Sequence, residues 1–384
     1  MEKDSSLNQA LIKENNKRKI IRALWENSPV SRTGLAHITQ LNKATITNLI
    51  NEIIAEGMVT NVGQQKSSAG RASNLIMFNE NYGICGGVVI RHSVITVAIS
   101  NIFAKILWEK DFLYPQDDDP MHVLQHVAEL LRDGIAACSN VSSRLLGIGI
   151  STASLLRQPD DMMYAIHSSL KWYNVPIGEY FRQQFNVPLW VDTASNNSML
   201  GEKYFGIAKD FSNAIFLSIG LGIGAGILVN GHLYRGANGF AGDIGHFVID
   251  PDGPVCRCGK RGCWEILGSA LTLPPEVTLE DAVREAENGN AKYISMLNNI
   301  GKNLGRGIAN LVRVLNPECV ILGGDIVIAG KWVMNPCRIE LKTSLWPFVW
   351  DCTRVEFAGL GNQSSIIGCF THVIKQLFCL DNYQ

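Results

Sequence analysis

One histidine and three cysteines lie close enough together in this sequence to hold a metal ion. They are in Gly245-His246 and Cys256-Arg-Cys258-Gly-Lys-Arg-Gly-Cys263-Trp-Glu265. Imidazole and thiolates make a complete tetrahedral donor set for Zn2+, and turns at Gly259 and Gly262 let a short loop fold around one ion. The nine residues between His246 and Cys256 are enough for a hairpin that returns the histidine to the thiols. Four protein ligands, His246, Cys256, Cys258 and Cys263, close the coordination sphere, so such a zinc is structural and activates no water. The same residues also admit an unmetallated thiol set or a redox pair. Arg257, Lys260 and Arg261 are expected on the solvated side of the loop.

A second constellation lies near the N-terminus. Lys43, Ala44, Thr45, Thr47, Asn48 and Asn51 form one face of a helical repeat whose other face is Ile46, Leu49, Ile50 and Ile53. The polar face carries no acid before Glu52. Asn and Thr reach base edges in a major groove, and Lys takes a phosphate or a guanine. Ser31 and Arg32 open the preceding helix and complete the candidate contact set. Arg71, in the polar strip 60–73, is placed to enter a minor groove. A three-helix bundle used for dimer contacts is the alternative reading of this segment.

These residues need elements to hold them. Ile20, Ile21, Leu24 and Trp25 have helical spacing, and Asn27-Ser28-Pro29 stops that helix. Ser31 caps Arg32–Ile38, with Leu35, Ala36 and Ile38 turned inward. Asn42 caps a third helix to about Glu56, and Gly57 ends it. The strip 60–73 has the composition of a wing or linker. Beyond residue 81 the pattern changes to strands at Ile84–Ile90, Val94–Ser100, Ile106–Trp108, Leu145–Ile150 and Val187–Val191. Helices are expected over Met121–Ala137 and Trp172–Phe185. A helix at Asn196–Gly206 starts a second set, with a strand-turn-strand at 214–229, a long helix at Tyr293–Leu315, a strand at Val320–Gly324 and a last helix at Ser364–Phe378. The fold class is therefore α/β. The expected domains are a winged helix-turn-helix over 1–80, a first α/β lobe over 81–195 and a second, with the zinc loop, over 196–384. The last helix can return to the first lobe.

Composition narrows the class. The 384 residues are nearly half hydrophobic, as in ordinary α/β proteins, and seven of the ten Cys are scattered, which favours a reducing cytoplasm over a disulfide scaffold. The uncharged run from Phe211 to Tyr234 has glycine at 220, 222, 224 and 226, which argues for two buried strands around a turn and against a membrane span. Residues 1–80 hold ten Lys and Arg against seven Asp and Glu, while the remainder holds 24 against 28. A basic head on an acidic body points weakly to nucleic acid.

Gly239-Phe-Ala-Gly-Asp-Ile-Gly-His246, followed by the Cys-x-Cys-Gly-x-x-Gly-Cys-x-Glu run, resembles the ROK family of sugar kinases and sugar-responsive repressors. The head, Ser31-Arg-Thr-Gly-Leu-Ala-His-Ile-Thr-Gln-Leu-Asn-Lys-Ala-Thr-Ile46, is similar to the winged helix of its repressors. The resemblance implies a two-lobed actin-like, ribonuclease-H-like body with a structural zinc and a sugar cleft. Family kinases open with Asp-x-Gly-Gly-Thr; the matching stretch here is Val89-Ile90-Arg91-His92-Ser93. The second phosphate loop, usually Gly-Thr-Gly-x-Gly, is Gly220-Leu221-Gly222-Ile223-Gly224. The catalytic Asn-Asp pair is Thr193-Ala194, and an alanine cannot accept a proton from a sugar hydroxyl. The sugar-holding positions match Asp243, His246, Glu265 and Thr193; Asp243 and Glu265 can alternatively brace the zinc loop. The expected protein is then a non-enzymatic regulator of carbohydrate-utilisation genes. It binds double-stranded DNA at a palindromic operator as a homodimer or tetramer, and a sugar or sugar phosphate in the cleft is its inducer. A working kinase, or a regulator released by a partner protein, is the rival.

Overall fold

Side chains cap the helices of the N-terminal region where their chemistry requires it. In the computed structural model, which describes residues 2–67, 70–115, 118–142, 144–157, 162–164 and 172–380, α1 spans Glu2–Asn27 and is followed by β1 (Val30–Ser31). Ser31 accepts from the Gly34 N–H at the start of α2 (Arg32–Thr39), and Asn42 accepts from Thr45 N–H at the start of α3 (Lys43–Ala55). Both caps satisfy amides that a helix start leaves unbonded. Leu35, Ile46, Leu49, Ile50 and Ile53 are buried as their spacing demands. Ile38 is not: it is 43% exposed. Helix α2 has only eight residues, and Gln40 turns left-handed behind it, so the last turn leaves the core. The strip expected as wing or linker carries two antiparallel strands, β2 (Val59–Ser67) and β3 (Gly70–Phe78), and β1 pairs with β3 in a sheet of order β1-β3-β2.

The body repeats one sheet plan twice. In the first sheet, β4 (Ile84–Ile90), β5 (Val94–Asn101) and β6 (Ile106–Leu113) form a meander, after which α4 (Pro120–Ala137) leads to β7 (Leu145–Thr152). A small hairpin of β8 (Leu155–Arg157) and β9 (Met162–Tyr164) precedes α5 (Ile177–Gln184), β10 (Leu189–Thr193) and α6 (Ala194–Tyr204). The sheet order is β10-β7-β4-β5-β6. The second sheet starts with β11 (Ala214–Ile219), β12 (Ile223–Val229) and β13 (His232–Leu233). It continues through α7 (Trp264–Gly268), α8 (Leu279–Glu287), α9 (Ala291–Leu315), β14 (Cys319–Gly323), α10 (Lys331–Ser344), α11 (Pro347–Trp350) and β15 (Arg354–Phe357). Its order, β13-β12-β11-β14-β15, is the first sheet's order again, with three antiparallel strands and then parallel ones. The uncharged run at 211–234 is thus strand, turn and strand. No helix among the described residues is long and apolar enough to cross a membrane.

Two prolines move expected boundaries. The helix expected from Trp172 starts at Ile177, because Pro176 disfavours helical backbone before it; Trp172 and Val175 are buried ahead of the helix. The strand expected from Val187 pairs only from Leu189, past Pro188.

The last helix, α12 (Ser364–Leu377), returns to the first sheet and crosses α6. A Cβ at Gly368 would stand 1.8 Å from Asn197 O, and one at Gly149 would stand 2.1 Å from Cys369 O, so backbones touch at both crossings. A single apolar cluster runs from Ile20, Leu24, Ile46 and Ile50, through Phe78, to Val89, Ala98, Phe370 and Phe378. The N-terminal region therefore shares its core with the first sheet and α12. The Trp25 ring stacks on Phe378 at 4.5 Å, and Phe378 lies 4.4 Å from Phe78.

Candidate functional site

The donor atoms of His246, Cys256, Cys258 and Cys263 all lie within 4.8 Å of one another. Cys256 Sγ is 3.7 Å from His246 Nδ1, and Cys258 Sγ is 3.5 Å from Cys263 Sγ. These separations suit a tetrahedral ion with bonds of about 2.0–2.3 Å, so the four residues can hold a metal. Backbone hydrogen bonds set the arrangement. Glu265 N–H donates to Gly245 O and Trp264 N–H to Phe247 O, which fastens α7 beside His246, while Cys256 N–H donates to Lys260 O inside the loop.

Those bonds also place Glu265 deep in the second lobe. Its side chain is 5% exposed, and Oε1 lies 2.9 Å from Arg257 Nη2. Arg257 is exposed, as its sequence position suggested, and its guanidinium pairs with the buried carboxylate, whose charge would be costly unpaired. Charge holds the pair, with no further hydrogen bond to Oε1 among the described residues. A Cβ at Gly222 would stand 2.9 Å from Glu265 Oε2 and 3.8 Å from Arg257 Nη2, so the glycine turn 220–224 lies directly on this pair. On the turn's other side, a Cβ at Gly220 would be 2.8 Å from Asp325 Oδ2. Burial raises the Asp325 carboxyl above its usual value, opposed by the positive charge of Arg91. Burial, and then the charge of Arg257, hold His92 below the ordinary imidazole value. The stretch Val89–Ser93 thus brings the positive charge of Arg91 towards Asp325 and the His92 imidazole towards Arg257.

Ala194, the position that the family resemblance set against a catalytic carboxylate, is the first residue of α6. Thr193 is the cap of that helix: its Oγ1 accepts from Asn196 N–H at 3.2 Å. Asp192, the nearest acid, is 5% exposed and engaged on both oxygens. Its Oδ1 accepts from Thr193 N–H and Asn196 Nδ2, and Oδ2 pairs with Arg235 Nη2 at 2.5 Å. Since Asp192 lies on β10 of the first sheet and Arg235 follows β13 of the second, this ion pair ties the two lobes. His372 of α12 lies beside it, 3.9 Å from Asp192 Oδ2 and 3.1 Å from Asn197 Oδ1. Asp243 is exposed, two residues before Gly245. Of the ligand candidates, Glu265 and His246 share one loop cluster, while Thr193 belongs to the interlobe junction.

In the N-terminal region, Lys43, Ala44, Thr45, Thr47, Asn48 and Asn51 stand on the face of α3 opposite its buried residues. Lys43, Ala44, Thr47, Asn48 and Asn51 are exposed, and Thr45 is half-buried. Arg32 Nη2 donates to Asn51 Oδ1 at 2.9 Å, linking α2 to this face. Arg71 lies on β3, with its side chain outside the described part. Sequence reading missed Arg235, Asn196 and His372. Arg235 stands four residues before Gly239, where its spacing alone shows no partner.

The model of the ROK family matches residues 85–376. The chain belongs to the ROK family. The xylose repressor of Bacillus spizizenii is 29% identical over 96% of this ROK chain and 97% of its own. A ROK family transcriptional regulator, a homologue of the E. coli Mlc protein, superposes with a TM-score of 0.82 at 22% identity, covering 96% of this chain and 97% of that one. A ROK glucokinase from Streptomyces griseus, solved with glucose and AMPPNP, superposes with a TM-score of 0.65 at 22% identity. It covers 77% of this chain and 100% of its own. The α/β body is thus a fold shared by regulators and sugar kinases of the family.

Proposed function

We propose that this ROK protein is a DNA-binding repressor of carbohydrate-utilisation genes, with a kinase-like body that senses a small ligand and does not phosphorylate it. The observation that carries this is the pairing of an acid-free exposed face on α3 with the replacement of the catalytic carboxylate by Ala194. Phosphoryl transfer to a hydroxyl needs a base in line with that hydroxyl. Asp192 does not replace it, since both its oxygens are held by Arg235, Asn196 and the Thr193 amide.

Residues 1–80 act as a winged helix-turn-helix. Helix α3 enters the major groove through Lys43, Thr45, Thr47, Asn48 and Asn51, with Ser31 and Arg32 on the backbone. The β2–β3 hairpin is the wing and offers Arg71 to the minor groove. Residues 81–195 and 196–384 are the lobes, with α12 returned to the first, and His246, Cys256, Cys258 and Cys263 hold a structural Zn2+. Such an ion fixes the loop that carries Arg257 and sets Glu265 against the glycine turn. A ligand at Asp243, His246, Glu265 and Thr193 biases the closure of the lobes across the Asp192–Arg235 pair. Helix α12 is placed to relay this. It touches Asn197 and Asp192 through His372 and the head through Phe378 and Trp25. A dimer presents two α3 helices to half-sites one DNA turn, about 34–36 Å, or a multiple apart. A population shift between lobe arrangements with different DNA affinity gives induction.

Selection of bound fragments from genomic DNA by the zinc-loaded protein tests this reading. The expected result is enrichment of a palindrome with half-sites at that spacing. Absence of enrichment, together with phosphorylation of a sugar by ATP and Mg2+, would overturn it in favour of a kinase.

A further inference from the structure

The loop that carries His246, Cys256, Cys258 and Cys263 divides these four side chains into two pairs. Cys256 Sγ faces His246 Nδ1 at 3.7 Å, whereas Cys258 Sγ faces Cys263 Sγ at 3.5 Å. Gly259 and Gly262, both with positive φ, turn back the four residues between Cys258 and Cys263. A bridge between Val255 and Arg261 and the bond from Cys256 N–H to Lys260 O hold that turn closed. A disulfide has an S–S bond of about 2.05 Å, so these two sulfurs need to approach by only about 1.5 Å.

Access separates the members of the second pair. Cys258 is half-buried, while Cys263 is 0% exposed. A small oxidant in solvent therefore meets Cys258 first, and Cys263 stands behind it as the resolving thiol. Elsewhere, burial holds the thiols of Cys85, Cys138, Cys319, Cys337 and Cys369 above the ordinary cysteine value, which keeps them protonated and slow to react. Cys352, just beyond α11, is exposed. The closure also has a lever on the body. Cys263 directly precedes α7, which carries Glu265, and Arg257 lies between Cys256 and Cys258. The Glu265–Arg257 ion pair thus has one partner on each side of the Cys258–Cys263 turn.

We propose that Cys258 and Cys263 form a redox switch, in which a peroxide closes them into a disulfide, releases the metal and weakens the grip on DNA. This rests on the repressor reading and its structural zinc. First, the Cys258 thiolate attacks one oxygen of hydrogen peroxide; the O–O bond breaks, hydroxide leaves and Cys258 becomes a sulfenic acid. The Cys263 thiolate then attacks that sulfur, the S–S bond forms and a second hydroxide leaves. The two thiolates lose two electrons, peroxide gains them, and two protons from solvent turn the hydroxides into water. His246 and Cys256 then remain as the only two donors, too few for a closed tetrahedral site. A thiol reductant reverses the change by exchange.

The experiment treats the zinc-loaded full chain with hydrogen peroxide. It follows zinc release with a chromogenic chelator, the intact mass, the peptide map and affinity for the DNA upstream of its own gene. Expected are release of about one equivalent of zinc, loss of the mass of two hydrogen atoms, a Cys258–Cys263 cross-link, and DNA affinity lower by roughly fivefold or more. Dithiothreitol with added zinc should restore all four properties, and Cys352→Ser should respond as the unmodified chain does. Cys258→His keeps four donors without the attacking thiol, so it should hold zinc and release it roughly tenfold more slowly under peroxide. Should that variant fail to load zinc, the peptide map of the unmodified chain decides. Zinc retained through oxidation, a cross-link between other cysteines, irreversible acids alone at Cys258, or unchanged DNA affinity in the cross-linked chain would each overturn the proposal. A chain that holds no zinc or no DNA before oxidation contradicts the repressor reading instead, and the cross-link still tests this pair.

Discussion

At the residue scale, two side chains with similar chemistry have opposite reasons to be buried. Glu202 is 0% exposed and fully answered: Oε2 accepts from the Ile207 and Gly359 amides, and Oε1 from Leu360 N–H and Ser364 Oγ. It joins α6 to the loop that leads into α12. Glu202→Ala should lower unfolding free energy by roughly 3 kcal/mol or more, since several buried donors lose their acceptor. Glu202→Gln should recover only part of it, because an amide nitrogen then faces backbone N–H groups. The urea midpoint reads both. Glu265, by contrast, is buried against a partly exposed cation, with Arg257 Nη2 2.9 Å from its Oε1. The sequence marked Glu265 through its place after Cys263 and did not mark Glu202, because Gly359, Leu360 and Ser364, three of its four partners, sit some 160 positions away in the chain. The clustering of His246, Cys256, Cys258 and Cys263 was legible for the opposite reason: the donors are local in the chain. Loss of one, in Cys258→Ser, should remove about one equivalent of bound zinc per chain and lower Tm by roughly 5 °C or more, given about 2–4 °C per kcal/mol for a chain of several hundred residues.

At the element scale, caps and prolines explain where periodicity succeeds and where it fails. Ser31, Asn42 and Gly57 mark their helix ends correctly, since each satisfies or releases a specific backbone group. Pro176 and Pro188 shift boundaries by a few residues, and short α2 exposes Ile38. The placement of α12 was only outlined in the sequence. Its apolar pattern shows a buried helix but not that Gly368 and Gly149 let it touch α6 and β7, nor that Phe378 reaches Trp25. That contact gives α12 two ends with different neighbours, the interlobe ion pair at His372 and the head at Phe378. Phe378→Ala should destabilise the chain by about 3–5 kcal/mol through the cavity it leaves. The milder Phe378→Leu should keep folding, ligand binding and DNA binding, while the ligand-induced change in DNA affinity falls several-fold. Titrations of DNA with and without ligand measure that loss. An unchanged ligand effect would separate α12 from the relay.

At the scale of the whole molecule, two sheets of identical strand order carry a small N-terminal unit on a core shared with the first of them. The duplication was visible in the sequence as two strand-and-helix series, whereas the shared core was not, because it is assembled from residues at both ends of the chain. The continuous packing gives the body a direct mechanical hold on the surface of α3, and the distribution of charge places the basic excess on that unit. A sequence-independent part of DNA affinity should follow from those cations and fall with salt. The most direct measurement is a gel shift of the zinc-loaded protein on the DNA upstream of its own gene, beside the Lys43→Ala, Arg71→Ala double variant. The account predicts a tight complex for the unmodified chain that weakens at least tenfold in the variant, with both proteins equally folded. No complex at low salt, or the same affinity in both proteins, would contradict it.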